Sequence, residues 1–379
     1  MVSNYPSDTA YAWWLIEHFW VEQAKIFSGA SRQAYLAYPK ITSLSETISN
    51  APITPLELSL PWRSKAESVK ARQFIRDHNI AYIYFTDQDY FNRQYWAMRL
   101  DGVKRIITHD HTPGDRPAMG GIKGALKRLK NAFPWVTADR VLCVSNLMRQ
   151  RNIMNSRIPA AKCAVVQNGI QPVDCSKTDR TRTRASLGVD DDAILVVTTG
   201  RAHPYKRFDF VINSAALLRD THPNLNVVFL LVGDGPAMAE LKQLVDRLNL
   251  KNHVHLLGFR DDVRQLLCSS DIAFHAALGE GFSLSVTEYM SAGLPVLVPD
   301  IPSVSQAITH NETGMIYAKD SLAQAASFIH ELATDVSVRS RMGVAARKTA
   351  NDVYTLDRCT QSFVKTINHA YGNNSVRPH

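Results

Sequence analysis

Short apolar runs of β-branched and aromatic residues alternate with longer amphipathic stretches along nearly the whole chain. The front half reads QAYLAY, LELSL, IAYIYFTD, KRIITHDH, RVLCVSN and CAVVQNGI, with helical spacing between them in SKAESVKARQFIRDHN and LMRQRNIMNS. The rear half reads AILVVTTG, NVVFLLVGDG, HVHLLGF, DIAFHAA and LPVLVPD. Strands of this kind, joined by helices, pair in parallel, because a parallel pair needs a long crossover and the crossover helix covers the sheet.

The chain has 379 residues, more than one core usually holds. Between the two sets lies QPVDCSKTDRTRTRASLGVDDD, polar and turn-rich, which reads as a linker. The expected fold class is α/β, with two Rossmann-like doubly wound domains facing across a cleft. The expected boundaries are 1–171 for the first domain, 172–192 for the linker and 193–350 for the second domain. Residues 351–379 are expected to form a C-terminal helix packing back on the first domain. VSNYP reads as the last turn of a first strand, so either that strand is very short or the chain begins late.

Composition then excludes several classes. A chain 45% hydrophobic and 21% charged is that of a soluble globular protein. No apolar run approaches the ~18 residues that span a bilayer, and MVSNYPSDTAYAWW lacks the plan of a signal peptide. The five cysteines are scattered and form no C-x-x-C, which argues against a disulfide framework or zinc site and fits a reducing cytoplasm. The net charge of +8 points to anionic partners: nucleotides, phosphates or membrane lipids. No nucleic-acid-binding motif is present, and nucleic acid is not expected.

Ligands of such sheets sit beyond the carboxyl ends of the strands. In TTGRAHPYKRFDF, Arg201 and Lys206 follow a strand and precede a helix. Two cations at a helix start suit a diphosphate, since the helix terminus also favours anions; the plainer alternative is a solvated loop. LLVGDGPAM is G-x-G followed by Pro, not a dinucleotide fingerprint, and reads as a turn with Pro in the first helical turn. In GEGFSLSVTEYMSAGLPVLVPD a helix is expected near Ser283, with Gly281 allowing the turn and the amides of Phe282, Ser283 and Leu284 facing the ligand. Glu280 lies before that turn and Glu288 within the helix. A carboxylate accepts well from vicinal hydroxyls and sits badly beside phosphate. The acids therefore read sugar hydroxyls while Arg201, Lys206 and the helix start hold phosphates. The alternative is a cap at Glu280 and a surface position at Glu288.

TTGRAHPYKRFD, LLGFRDDVRQLL and EGFSLSVTEYMSAGLPVLVPD with ETGMIY together resemble the retaining glycosyltransferases of family 4, which have the GT-B fold. The motifs cover most of residues 193–320, and the family's E-x7-E falls on Glu280 and Glu288. The front half matches in architecture and in QNGI. The resemblance implies that Arg201 and Lys206 hold the donor diphosphate, that Glu280 touches the transferred sugar and that Glu288 takes the ribose hydroxyls. It places Arg260 beside the base and His109, at a strand end, near the transferred sugar. It implies no metal and no cofactor beyond the nucleotide-sugar substrate. A Gly-Gly-rich loop expected after the first strand is missing here, where Asp8 and Thr9 stand.

The front half leaves other choices open. His109 and His111 share one face of an extended chain, which also permits a metal, but no third ligand is in evidence. His275 reads as a core histidine. Asp87-Gln88-Asp89 mimics a metal-binding D-x-D, and Asp is equally a helix cap; Asp87 and His111 are the candidate acceptor contacts. Tyr11, Trp13 and Trp14 suit either sugar stacking or the core. In PAMGGIKGALKRLKNAF, Ile122, Ala125, Leu126, Leu129 and Phe133 form one stripe and Lys123, Lys127, Arg128 and Lys130 the other face. That is either a crossover helix packed on its sheet or, over 117–135, a face for an anionic membrane.

The expected activity is retaining transfer of a sugar from a nucleotide-diphosphate sugar to a carbohydrate or lipid-linked acceptor, in polysaccharide or glycolipid synthesis. The expected place is the cytoplasm, peripheral at the inner membrane face. A sugar-nucleotide epimerase and a non-catalytic sugar-nucleotide binding protein are the alternatives. Donor consumption without acceptor marks the first, and binding without turnover the second.

Overall fold

The computed structural model describes residues 1–8, 13–29, 32–114, 117–118, 120–176 and 178–372. Thr9 and Tyr11 fall outside that set. The chain forms two compact units, Met1–Asn168 with Asp357–His379, and Gly169–Leu356.

The first unit carries β1 (Tyr35–Tyr38), β2 (Thr54–Glu57), β3 (Tyr82–Thr86), β4 (Arg105–Asp110), β5 (Arg140–Cys143) and β6 (Cys163–Val165). All of their pairings are parallel, β1 with β2 and then β3-β4-β5-β6. The short first strand reduces to Val2, which bridges Ala37 of β1 and Phe85 of β3. Helix Lys65–Asp77 starts at Ser64 with a reciprocal capping box to Glu67.

Three features differ from the sequence reading. Trp13–Ser28, to which the sequence reading gave no element beyond the aromatics Trp13 and Trp14, is a helix of 16 residues burying Leu15, Phe19, Trp20 and Phe27. Trp13 stands edge-on to Trp20, as core, while Trp14 is exposed. Asp87 caps no helix: its backbone is left-handed, and the next helix starts only at Gln94. Finally, helix Gly121–Ala132 buries only Gly124 and Asn131. Its apolar stripe faces outward, with Ile122 81%, Leu126 60%, Leu129 62%, Phe133 57% and Trp135 56% exposed. Packing on a sheet is thus not what the stripe is for.

The C-terminal helix Leu356–Tyr371 belongs mostly to this unit: Phe363 packs on Phe19 and Tyr84, and Tyr371 on Phe27 and Tyr82.

The second unit is a six-stranded parallel sheet, β7 (Ile194–Thr199), β8 (Val227–Val232), β9 (Val254–Gly258), β10 (Ile272–Phe274), β11 (Val296–Pro299) and β12 (Gly314–Tyr317). Their order is β12-β11-β10-β7-β8-β9. The central strands are buried on both faces, β8 at every residue, which is why they read as unbroken apolar runs. The stretch 172–192 is not plain linker. Helix Arg180–Ser186 lies within it, and the fully buried Arg184 reaches Ser269 O and Asp271 while Arg180 bonds Asp271 at 2.6 Å. Cys175 and Cys268 are joined in a disulfide, against the sequence expectation. Their 93-residue separation hides the pairing, and only the fold brings the Cα atoms to 5.3 Å. Among the described residues no helix is long and apolar enough to cross a membrane.

Candidate active site

In the second unit β8 lies on one side of β7 and β10 on the other, so the strand order reverses between β7 and β10. Such a switch point opens a crevice beyond the strand ends, and the loops leaving β7 and β10 meet there.

The β7 loop runs through Gly200 and Arg201 into a 3₁₀ turn, Pro204–Lys206, and then helix Phe208–Thr221. Gly200 has φ +150°, and the alkyl chain of Lys206 lies 3.7 Å from where a Cβ would stand. The Gly-Asp-Gly turn after β8 braces this loop: Ala202 donates to Asp234 O and Ala237 to Ala202 O, and a Cβ on Gly235 would collide with the Ala202 carbonyl. Gly235 thus serves the close packing of the two loops. Arg201 itself is exposed.

The β10 loop carries His275 and Glu280 into helix Leu284–Ser291, whose cap is Ser283, accepting from Val286 N–H. That start matches the expected one. Gly281 is buried, with its carbonyl accepting from Gln306, and its backbone is not left-handed. The two loops are tied together. Leu278 N–H donates to Tyr205 O at 3.0 Å, and Lys206 Nζ stands 2.5 Å from Glu280 Oε1. Tyr289 of the helix receives Thr199 N–H at 2.6 Å, fixing the helix to the end of β7.

Burial alone would raise the Glu280 carboxyl, but the Lys206 ammonium and the His275 hydrogen bond outweigh it and hold it at about 2. Glu288 behaves oppositely. Burial pushes its carboxyl up to about 7, with only a partial offset from Arg264. Arg260 is held by Asp262 through bonds of 2.7 and 2.5 Å, beside an exposed Phe259 at the end of β9. The sequence reading missed His275, Arg264 and Phe259 as members of this neighbourhood. His275 was legible only as buried, which it is.

In the first unit His109 is fully buried, bonded through Nδ1 to Tyr84 OH at 2.6 Å and packed on Phe19 and Phe363. Aromatic side chains thus close over the ring at the strand end where the sugar contact is expected. His111 keeps some exposure, and its N–H donates to Asp87 Oδ1 at 2.7 Å. Asp87 thus spends one carboxylate oxygen on the turn after β4. Asp110, unremarked in the sequence, is buried against Arg151 and Asn152. Among the described residues no group of three or more His, Cys, Asp or Glu is arranged to hold a metal ion.

Two sequence families divide the chain between them. The one described as Glycosyltransferase Family 4 matches residues 30–173, and the one described as Glycosyl transferases group 1 matches residues 179–349. The chain belongs to glycosyltransferase family 4. As expected of this family, its fold is GT-B, with Rossmann-like units. Similar solved structures include a glycosyltransferase from Rickettsia africae, TM-score 0.78 at 17% identity over 98% of both chains. Another is Anabaena Alr3699/HepE in complex with UDP, TM-score 0.73 at 19% identity over 97% of this chain and 99% of that one. Among curated relatives, the phosphatidylinositol N-acetylglucosaminyltransferase GPI3 subunit of Saccharomyces cerevisiae is 28% identical over 194 residues. The match takes in 50% of this chain and 41% of the yeast one. The chain thus spans less than half the length of that yeast relative.

Proposed function

We propose that the protein transfers a hexose from a nucleotide-diphosphate sugar to an acceptor hydroxyl with retention at the anomeric carbon. The observation that supports the reading is the approach of Lys206 to Glu280 where the loops leaving β7 and β10 meet, next to a helix start and within a segment that also carries Glu288, its carboxyl raised by burial. Arg201 and Lys206 take the diphosphate, together with the amides of Phe282, Ser283 and Leu284. Glu280 faces the transferred sugar, Glu288 accepts from the ribose hydroxyls and Arg260 lies beside the base. Negative charge grows on the departing diphosphate, and fixed cations stabilise it without reorganising. The bond between the anomeric carbon and the phosphate oxygen breaks as the acceptor oxygen bonds to the same face, and the acceptor proton passes to the leaving phosphate. The chemistry is metal-independent, since the cations supply the charge that a metal would.

The acceptor is a carbohydrate or a lipid-linked one, in polysaccharide or glycolipid synthesis, with Asp87 and His111 as its contacts. The outward apolar stripe of Gly121–Ala132, flanked by Lys123, Arg128 and Lys130, supports docking on an anionic membrane from the cytoplasmic side. The yeast relative, named for transfer to phosphatidylinositol, is consistent with such an acceptor.

A thermal-shift screen across UDP, GDP, ADP and their sugars tests the donor. Ligand at a hundred times Kd stabilises by about 2.7 kcal/mol, and Glu288→Ala should abolish the best shift. A shift unchanged in that variant moves the nucleotide elsewhere.

Glu288 adds a pH signature. Its folded pKa near 7 lies above the ordinary 4.5, so the folded state holds this proton more tightly than the unfolded one. The carboxylate therefore costs stability above pH 7, and the cost fades as pH falls toward 4.5. Glu288→Gln is expected to raise Tm by roughly 2–4 °C at pH 8 and to leave it unchanged near pH 4. Only the carboxylate accepts from two hydroxyls, so nucleotide affinity of the wild type should weaken as pH drops below 7. Titrations across that range read both effects.

A further inference from the structure

His275 stands at the end of β10, 2% exposed, with its backbone N–H given to Leu297 O. Its Nε2 lies 3.1 Å from Glu280 Oε1 and 3.3 Å from Ser283 Oγ. The same Glu280 oxygen receives Lys206. One imidazole atom thus touches both the acid of the β10 loop and the cap of the following helix. The ring also faces Tyr289, whose hydroxyl secures that helix to Thr199.

We propose that His275 is a positioning residue: as a neutral imidazole with its hydrogen on Nε2, it fixes the Glu280 carboxylate in line with Lys206. The proposal rests on reading Glu280 and Lys206 as donor contacts, and it adds a residue to which that reading gives no role. The tautomer follows from electrostatics. Glu280 is ionised beside Lys206, and a bare nitrogen lone pair 3.1 Å from an anionic oxygen would repel it. The approach is stable only if that nitrogen carries the hydrogen. Burial keeps the ring neutral, with the nearby Lys206 acting in the same direction and Glu280 opposing. Glu280 sits on a loop that Leu278 anchors to Tyr205, so its backbone is placed independently. What remains free is the side-chain torsion, and this the imidazole removes. Without it, Lys206 and Glu280 still attract, but the carboxylate can swing out with the flexible ammonium. Displacement of a reacting-site group by about 1 Å costs on the order of 10²-fold in rate.

The test has two arms. In ligand-free protein, nitrogen-edited NMR of the imidazole, assigned by its loss in His275→Gln, should report a neutral ring protonated at Nε2. Carboxyl-carbon NMR, with the Glu280 signal assigned by Glu280→Gln, should stay flat from about pH 4 to pH 8 in the wild type. In His275→Leu, which fills space without donating, that signal should begin to titrate. His275→Gln, whose amide can donate, should flatten it again. In the second arm, UDP release from UDP-glucose and UDP-N-acetylglucosamine should fall about 10²-fold in kcat for His275→Leu. KM should change little, and the Gln variant should recover most of the loss. A ring protonated at Nδ1, or a Glu280 signal equally flat in the Leu variant, overturns the proposal. If neither nucleotide sugar is turned over, a UDP-sugar donor is excluded while the first arm still decides the role of His275.

Discussion

Replacing Lys206 by alanine should lower sugar-nucleotide turnover by about 10²–10³, the usual cost of removing one preorganised group that meets charge developing in the transition state. Two losses combine. The cation beside the leaving diphosphate disappears, and Glu280 keeps its burial without the ammonium that holds its carboxyl down. Its pKa must then climb, because burial is opposed only by the His275 hydrogen bond. The pair also contributes to stability. A carboxyl held at about 2 against an ordinary 4.5 favours the folded state above pH 4.5, and the benefit is lost as pH falls through 2. The variant should therefore unfold more readily at neutral pH, while the difference narrows in acid. Steady-state kinetics with thermal unfolding at pH 7 and pH 3 separates the two effects. A variant with normal kcat would remove Lys206 from the chemistry.

The second large effect concerns the helix Gly121–Ala132. Neutralising Lys123, Arg128 and Lys130 together should weaken binding to vesicles of phosphatidylglycerol and phosphatidylcholine by more than a hundredfold. Each basic residue near an anionic surface contributes about 1 kcal/mol, and 1.4 kcal/mol is a factor of ten. The wild type should lose affinity as salt rises, because screening shortens the reach of the surface potential. Leu126→Asp with Leu129→Asp should abolish binding at any salt by removing the apolar side chains that enter the headgroup boundary. Nucleotide affinity should be untouched in both variants. Sedimentation with the vesicles reads the outcome, and equal pelleting of all three proteins would refute a membrane role.

Much of this molecule was legible from its residues, for a physical reason. Parallel strands are buried on both faces, so AILVVTTG and NVVFLLVG stand out as apolar blocks, and the catalytic candidates follow their ends. The cap at Ser283, and the position of residues 201 and 206 between a strand and a helix, could be read from the residues. What escaped depends on contacts distant in sequence. The pairing of Cys175 with Cys268 and the burial of Arg184 are set by how segments meet. Helix Trp13–Ser28 buries Glu17 and Gln23 among its apolar residues and exposes Trp14, which blurs the amphipathic spacing by which a half-exposed helix is recognised. His109 sits at the strand end where a ligand contact is expected, yet Phe19 and Phe363 come from elements far along the chain to cover it. The stripe on 121–132 could be read from period, but not which way it faces.

The central claim is that the β7/β10 crevice holds a diphosphate on positive side chains while its acids meet hydroxyls. A crystal structure with the nucleoside diphosphate that gives the largest thermal shift tests it most directly. The account predicts phosphate oxygens within hydrogen-bond reach of Lys206 and Arg201, and ribose hydroxyls on Glu288. Phosphates bound away from both cations, or a ribose turned from Glu288, would contradict it.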